Sequence, residues 1–299
     1  MKKAIISGAT GFIGRNLTRK LLDEGIEVIA ITMEGDPNIS LMENWGVRTV
    51  TCNLSEFEML PTLVKDRDID IFYHLAWQGV SNADAKDPQV QMRNTGATLS
   101  AILAAKGMGI KRFLGAGSLH ETEAMVEMGL NKPITNLGLM YKSSKIAAHF
   151  MGKALAGANG VEFLWPIITN AYGEGERSGR LINTLVRALQ NNESPATSEG
   201  RQLYDFVHIS DIANALYLIG EKGIDGENYI IGSGNPKPLR EYLEQLNEIV
   251  NPNVKIAYGS ITSNVIFLPD WAFDTTSLVR DTGFTPHISF TEGIMRMIR

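Results

Sequence analysis

The sequence predicts an α/β protein: a doubly wound parallel sheet followed by a smaller mixed lobe. Three observations carry this reading. Short apolar, β-branched runs alternate with longer stretches of helical period through the first half, three glycines stand directly behind the first run, and the alternation gives way to a proline-bearing stretch in the last third. Strands covered by helices on both faces read as continuous apolar runs, and short β–α connections impose right-handed crossovers.

In chain order, residues 3–7 (Lys-Ala-Ile-Ile-Ser) form the first strand and 11–24 the helix that follows the glycine turn. A second strand is expected at 27–32, a third at 48–51 with a helix at 56–64, and a fourth at 69–75 with a long helix at 88–108. A fifth strand at 112–116 precedes a helix at 140–156, and 163–168 reads as one further strand. Residues 170–201 are a Gly- and Arg-bearing irregular stretch with a helix near 181–190. An extended segment at 205–208, a helix at 209–219 opening on Ser210-Asp211, and a strand at 228–231 restore the pattern briefly. The remainder, punctuated by Pro236, Pro238, Pro252, Pro269 and Pro286, reads as a small mixed lobe.

With 299 residues, 44% hydrophobic and 20% charged, the chain suits one large domain, or one domain plus a small lobe. A net charge of −5 argues against the broad basic surface that grips nucleic acid, though a few local arginines can still hold an anionic small molecule. The single cysteine, Cys52, excludes an internal disulfide and fits a reducing, cytoplasmic compartment. The apolar run Ala4-Ile5-Ile6 behind Lys2-Lys3 is broken at Ser7-Gly8, far short of an export signal, and no stretch approaches a membrane span.

The run Gly8-Ala9-Thr10-Gly11-Phe12-Ile13-Gly14 joins a strand to an amphipathic helix. Glycine there permits a tight turn and close approach of backbone to a pyrophosphate, while the helix start offers free N–H groups to the anion. This makes residues 1–168 a dinucleotide-binding Rossmann domain, to which 204–231 return. Residues 169–203 and 232–299 form a substrate-binding lobe. At the end of the second strand, where a carboxylate would clasp the adenosine ribose of NAD, the sequence has Thr32. Thr32 leaves room for a 2′-phosphate and Arg15 is the nearest cation for it, so NADP(H) is favoured over NAD(H); Glu34 is the alternative ribose partner.

Tyr141 and Lys145 stand four residues apart on a predicted helix, hence on one face. A phenol is a poor base at neutral pH, but a neighbouring ammonium favours the phenolate and lets the pair exchange a proton with an alcohol or ketone oxygen. Ser118, behind the fifth strand, supplies a hydroxyl to stabilise that oxygen. The spacing alone is weak; its place behind a dinucleotide turn gives it weight. The five histidines show no metal-ligand spacing, and no metal is expected.

On these residues, together with His74-Leu75-Ala76, Asn94, Asn170-Ala171-Tyr172-Gly173 and the run from Asp205 to Asp211, the chain resembles the extended short-chain dehydrogenases/reductases of the NAD-dependent epimerase/dehydratase family, over nearly its whole length. The resemblance implies a nucleotide-sugar substrate, Asn53 and Leu54 beside the adenine, Leu75 and Ala76 along the cofactor groove, Asn94 near the cofactor, and Asn170 at the substrate diphosphate. Dimerisation through a helix pair is also common in that family. Family dehydratases carry an acidic pair directly after the catalytic hydroxyl; Leu119 and His120 stand there, which argues against dehydration. Tyr204 replaces a common diphosphate-binding arginine, leaving Arg177, Arg180 and Arg201 as substitutes or as solvated surface charges. The run from Gly115 to Glu121 with Trp77-Gln78-Gly79 is most similar to the sugar 4-ketoreductases of the CDP-abequose/paratose synthase type, with Trp77, His120 and Glu121 turned to the substrate; a hydrogen-bonded structural role is the alternative for His120.

The expectation is therefore NAD(P)H-dependent reduction of a 4-keto group on a nucleotide-activated 6-deoxy sugar. A nucleotide-sugar 4-epimerase would use the same residues, and a non-catalytic NAD(P)-binding sensor is a third reading, opposed by the intact Ser118, Tyr141 and Lys145.

Overall fold

A computed structural model describes residues 1–80, 83–129, 137–261 and 266–299. Its first half comprises β1 (Lys3–Ser7), α1 (Phe12–Asp23), β2 (Glu27–Thr32), α2 (Ile39–Asn44), β3 (Arg48–Thr51), α3 (Leu60–Leu63), β4 (Ile71–His74), α4 (Pro88–Met108) and β5 (Arg112–Gly115). Then follow β6 (Gly117–Ser118), α5 (Leu119–Gly129), α6 (Leu139–Ala158), β7 (Glu162–Leu164), β8 (Ile167–Ile168) and β9 (Asn170–Tyr172). The chain continues through α7 (Leu181–Gln190), β10 (Leu203–Tyr204), β11 (Phe206–His208), α8 (Ile209–Lys222), β12 (Ile230–Ile231) and β13 (Lys237–Pro238). It closes with α9 (Leu239–Val250), α10 (Thr276–Thr282) and α11 (Phe290–Met297).

The main sheet runs β3-β2-β1-β4-β5-β7, all parallel. The strand order reverses between β1 and β4, and the crevice outside the carboxyl ends of the strands there is where such sheets bind ligands. One face packs on α1 and α8 through Ile6, Leu17 and Leu216, the other on α4 and α6 through Ile5, Ile102 and Phe163. Tyr172, Leu185, Leu243 and Ile294 centre a separate cluster under α7, α9 and α11. No helix among the described residues is long and apolar enough to cross a membrane.

Two sequence expectations are corrected. The stretch read as one strand over 163–168 is two: β7 pairs with β5, whereas β8 pairs with β6 and β12 in a second small parallel sheet. Pro166 sits at the break; it has no N–H for a ladder, and its carbonyl instead accepts from Gly117 N at 2.9 Å. The helix expected over 56–64 begins as a 3₁₀ turn, Leu54–Met59, and becomes α-helical only at Leu60–Leu63, with Pro61 in its first turn. The helix α5, directly behind Ser118, was not anticipated.

Candidate active site

The glycine turn folds because other residues would collide. Gly8 adopts φ +73°, and a Cβ there would lie 2.7 Å from Ala76 N; one on Gly14 would lie 2.0 Å from Gly8 O. Turn, α1 and the loop behind β4 therefore close on one another. Gly11 caps α1 without any side-chain hydrogen bond, so the N–H groups of its first turn face the crevice unclaimed by a cap.

A groove of about 670 Å³ crosses the ends of β1 to β4, with Gly8, Thr10, Thr32, Asn53, Leu54 and Leu75 in its wall. Among the described residues the buried hydroxyl of Thr32 has no hydrogen-bond partner. A groove of this size with an orphaned hydroxyl and a free helix start fits a dinucleotide. Phe12 and Ile13 form the first turn of α1 beside it.

The expected preference for NADP(H) is not supported. Arg15 donates to the carbonyl of Gly175, in the loop behind β9, and does not border the groove. Its guanidinium is pushed below its ordinary value by burial and by neighbouring Arg177. A carboxylate stands in the groove instead: Asp36 accepts from Thr10 Oγ1 at 2.7 Å and from Asn38 N at 2.9 Å. It lies four positions beyond Thr32, past the strand end where sequence reasoning looked. Glu34 contributes its main-chain N–H to Asn53 Oδ1 (3.2 Å). Arg93, on the exposed side of α4, also borders the groove and carried no motif signal.

Asn94 is spent on backbone: Oδ1 accepts from Gln78 N at 2.9 Å and Nδ2 donates to Gln78 O at 2.7 Å, so it fixes the loop bearing Leu75, Ala76 and Trp77. His74 is buried between Ser7 Oγ (2.9 Å) and Thr98 Oγ1 (3.1 Å). Burial, aided by the Lys145 charge, pushes its pKa down to about 3.

Ser118, Tyr141 and Lys145 are brought together where the main sheet breaks between β5 and β6. The break frees the carbonyl of Ala116, which accepts from Lys145 Nζ at 2.8 Å. Lys145, 6% exposed, lies beneath the Trp77 indole, 3.7 Å from its ring centre, and 5.5 Å from that of Trp165. Desolvation lowers its pKa to about 7, against an opposing pull from Glu121. Burial pushes the Tyr141 phenol up to about 12, with a hydrogen bond to Ser118 pulling it back. The ammonium is thus held by Ala116 and Trp77 rather than by the phenol, which differs from the simple pairing expected from their spacing. Trp77 packs edge-on against Tyr141 (6.1 Å between ring centres) and hydrogen-bonds Gln91 Oε1 at 3.0 Å. The groove ends at Trp77 and Gln78, on the near side of this indole.

Glu121 does not face a substrate. Its side chain is 1% exposed, and the carboxylate accepts from Ser118 N (2.9 Å) and Trp165 Nε1 (3.2 Å), with His149 Nδ1 at 3.1 Å. It positions Ser118 and Trp165 from beneath. His120 is half exposed, with its ring edge-on to that of Tyr141 at 5.8 Å and its main-chain N–H donating to Ser118 Oγ (3.3 Å). Leu119 is buried in an apolar cluster with Phe273.

The lobe residues are dispersed. Arg180 pairs with Glu176 at 3.6 Å and is near enough for its charge to act on Tyr141. Arg177 borders a separate cleft of about 320 Å³ with Glu174 and Arg187. Arg201 is exposed ahead of β10. Asn170 Oδ1 accepts from Asp205 N at 3.4 Å. Asp205 and Asp211 serve the fold, the first holding Ser233 N (3.1 Å), the second His287 N (2.9 Å) and Ile288 N (3.0 Å). Among the described residues no group of three His, Cys, Asp or Glu side chains could hold a metal ion.

Comparison with known proteins places the chain in a family and a fold. The family described as "NAD dependent epimerase/dehydratase family" matches residues 4–232. The CDP-abequose synthase of Salmonella muenchen is 22% identical over 306 residues, covering 99% of this chain and 97% of that protein. The UDP-glucose 4-epimerase of Thermotoga maritima, solved with UDP-glucose, superposes with a TM-score of 0.83 at 19% identity, covering 99% of this chain and 97% of that one. The Bordetella bronchiseptica enzyme WbmF, solved with NAD+ and UDP, superposes with a TM-score of 0.80 at 21% identity, covering 99% and 91%.

Proposed function

Because the chain belongs to the NAD-dependent epimerase/dehydratase family, we propose that it reduces the 4-keto group of a nucleotide-activated 6-deoxy sugar with NADH. The observation that carries the reading is the gathering of Ser118, Tyr141 and Lys145 at the end of the dinucleotide groove, with Leu119 buried among apolar side chains and the Glu121 carboxylate tied to the serine's main-chain N–H. The whole-length similarity to a CDP-abequose synthase supports the same direction.

When bound, the nicotinamide supplies the hydride. The residues do the rest. Gly8, Gly11 and the first turn of α1 would hold the pyrophosphate, Thr32 and Asp36 the adenosine ribose, and Asn53 and Leu54 the adenine. Ser118 donates to the carbonyl oxygen as its charge grows, and Tyr141 delivers the proton that completes the alcohol. Lys145 would offer its ammonium to the nicotinamide ribose. Arg180, whose charge reaches Tyr141, would be the cation for the substrate diphosphate, with Asn170 as the second candidate contact.

Purified protein mixed with a nucleotide 4-keto-6-deoxy sugar should oxidise NADH in proportion to alcohol formed. Interconversion of 4-epimers with no net redox change would instead identify an epimerase. NADH should outrun NADPH, because the Asp36 carboxylate repels a 2′-phosphate. Asp36→Ala is expected to raise the NADPH:NADH ratio of kcat/KM by about tenfold, the equivalent of ~1.4 kcal/mol.

We also propose a homodimer through the outer faces of α4 and α6, two helices that pack on each other and on which Met92, Leu103, Phe150 and Met151 are each exposed.

A further inference from the structure

We propose that His120, oriented by Glu123, is a second acid–base group of this site, able to remove and return a proton on the carbon next to the reacting carbonyl. The proposal rests on the keto-sugar reading above.

The geometry is that of an oriented base. His120 Nδ1 lies 2.6 Å from Glu123 Oε2. Glu123 is itself fixed, with Lys142 Nζ at 3.0 Å, and Lys142 is held from its other side by Glu127 at 2.9 Å. A carboxylate that accepts from Nδ1–H selects the tautomer whose Nε2 carries the lone pair, the arrangement that makes an imidazole a directed base. Among the described residues Nε2 has no hydrogen-bond partner, and half of the side chain is open to solvent. Although burial pushes Glu123 upward, its pairings with His120 and Lys142 hold the carboxyl below its usual range, so it stays an acceptor.

The placement supplies the substrate end. His120 directly follows Leu119 behind Ser118, its N–H donates to Ser118 Oγ, and its ring packs against that of Tyr141. Ser118 and Tyr141 grip the carbonyl oxygen, so a side chain flanking both faces the carbons one bond away. Those C–H bonds are acidified by the carbonyl. When one breaks, the proton passes to Nε2 and the bonding pair forms a carbon–carbon double bond. The carbonyl π pair moves onto the oxygen, and the enolate is held by the Ser118 and Tyr141 donors. Return of a proton from Nε2 restores the ketone, and exchange of Nε2 with water replaces hydrogen by deuterium. Reduction of a ketone needs only the Tyr141 proton, so this dyad gives the site a capacity that reduction leaves unused.

The test is incubation with a CDP- or dTDP-linked 4-keto-6-deoxyhexose in D2O, following deuterium at C3 and C5 by NMR and NADH oxidation in parallel, against an enzyme-free control. The wild type should exchange faster than the control. His120→Ala should slow exchange by about 100-fold, as expected for loss of a general base. Glu123→Gln should slow it by about tenfold, and in both variants the ratio of exchange to reduction should fall at least about tenfold. Reduction without exchange overturns this proposal alone. So does a His120→Ala enzyme that exchanges normally, or one in which exchange and reduction fall in equal proportion. Exchange without NADH oxidation overturns the reduction reading and supports the dyad; neither process overturns both.

Discussion

Lys145 and Glu121 hold opposite charges in a nearly dry place. Removing the Lys145 ammonium from water costs enough to bring its pKa to about 7, and the Glu121 carboxylate opposes that fall. Ser118 N–H and Trp165 Nε1 need only an acceptor, which an amide oxygen also provides; Lys145 needs the charge. Glu121→Gln should therefore fold and bind cofactor, but its kcat/KM should begin to fall at lower pH than in the wild type, as Lys145 loses its proton earlier. The deficit should reach up to about tenfold at pH 8, since one pKa unit is one decade in protonated fraction. Superimposable pH profiles for the two enzymes would remove Glu121 from this role. That Ser118, Tyr141 and Lys145 belong to one candidate site was legible because of their spacing and their order behind the glycine turn. The buried supporting role of Glu121 and the places of His149, Trp165 and Asp36 were not, since their contacts join positions 28 to 44 residues apart or sit beyond the strand end.

Among the elements, β1, β4 and α4 meet at His74, which reaches Ser7 on one side and Thr98 on the other. Its pKa falls from 6.5 to about 3 on folding because burial disfavours the imidazolium. Between those values the unfolded chain binds a proton that the folded chain refuses, so stability drops as pH falls below 6.5 and the loss is complete near 3. At pH 5 the cost from this group is about 2 kcal/mol. His74→Gln should lose less stability than the wild type between pH 7 and pH 5, measured by urea unfolding; equal losses would assign acid sensitivity elsewhere. The first β–α pair and α4 were readable because apolar period, glycine turn and capping agree: Asp87 caps α4 and Gly109 ends it in the left-handed region. The break within residues 163–168 is hidden because five apolar residues surround one proline, and α5 because its Leu-His-Glu-Thr-Glu start lacks a clean helical stripe.

At the scale of the whole molecule, the parallel sheet carries the groove at the carboxyl ends of its central strands and a helix pair, α4 with α6, on one face. That pair also connects to the site, since α6 bears Tyr141 and Lys145 and α4 anchors the Trp77 loop through Asn94 and Gln91. Phe150, 58% exposed, stands on the outer face of α6. Phe150→Glu should shift the protein from dimer to monomer in sedimentation, with activity reduced severalfold as α6 loses its support; an unchanged mass would place the apolar face elsewhere. The doubly wound architecture was visible in the alternation of periods. The second sheet of β6, β8 and β12 was not, because each strand is two residues long and its pairing is set by chain breaks rather than by pattern.

The indole lying across Lys145 gives the protein a built-in optical reporter. Trp77 is one of four tryptophans and the one that lines the cofactor groove. Titration with NADH should change tryptophan emission and excite the dihydronicotinamide by energy transfer, and Trp77→Phe should abolish most of both signals while binding persists by calorimetry. An undiminished signal in that variant would mean that the emission comes from another indole. Filling of the site could then be timed, turnover by turnover, without a label.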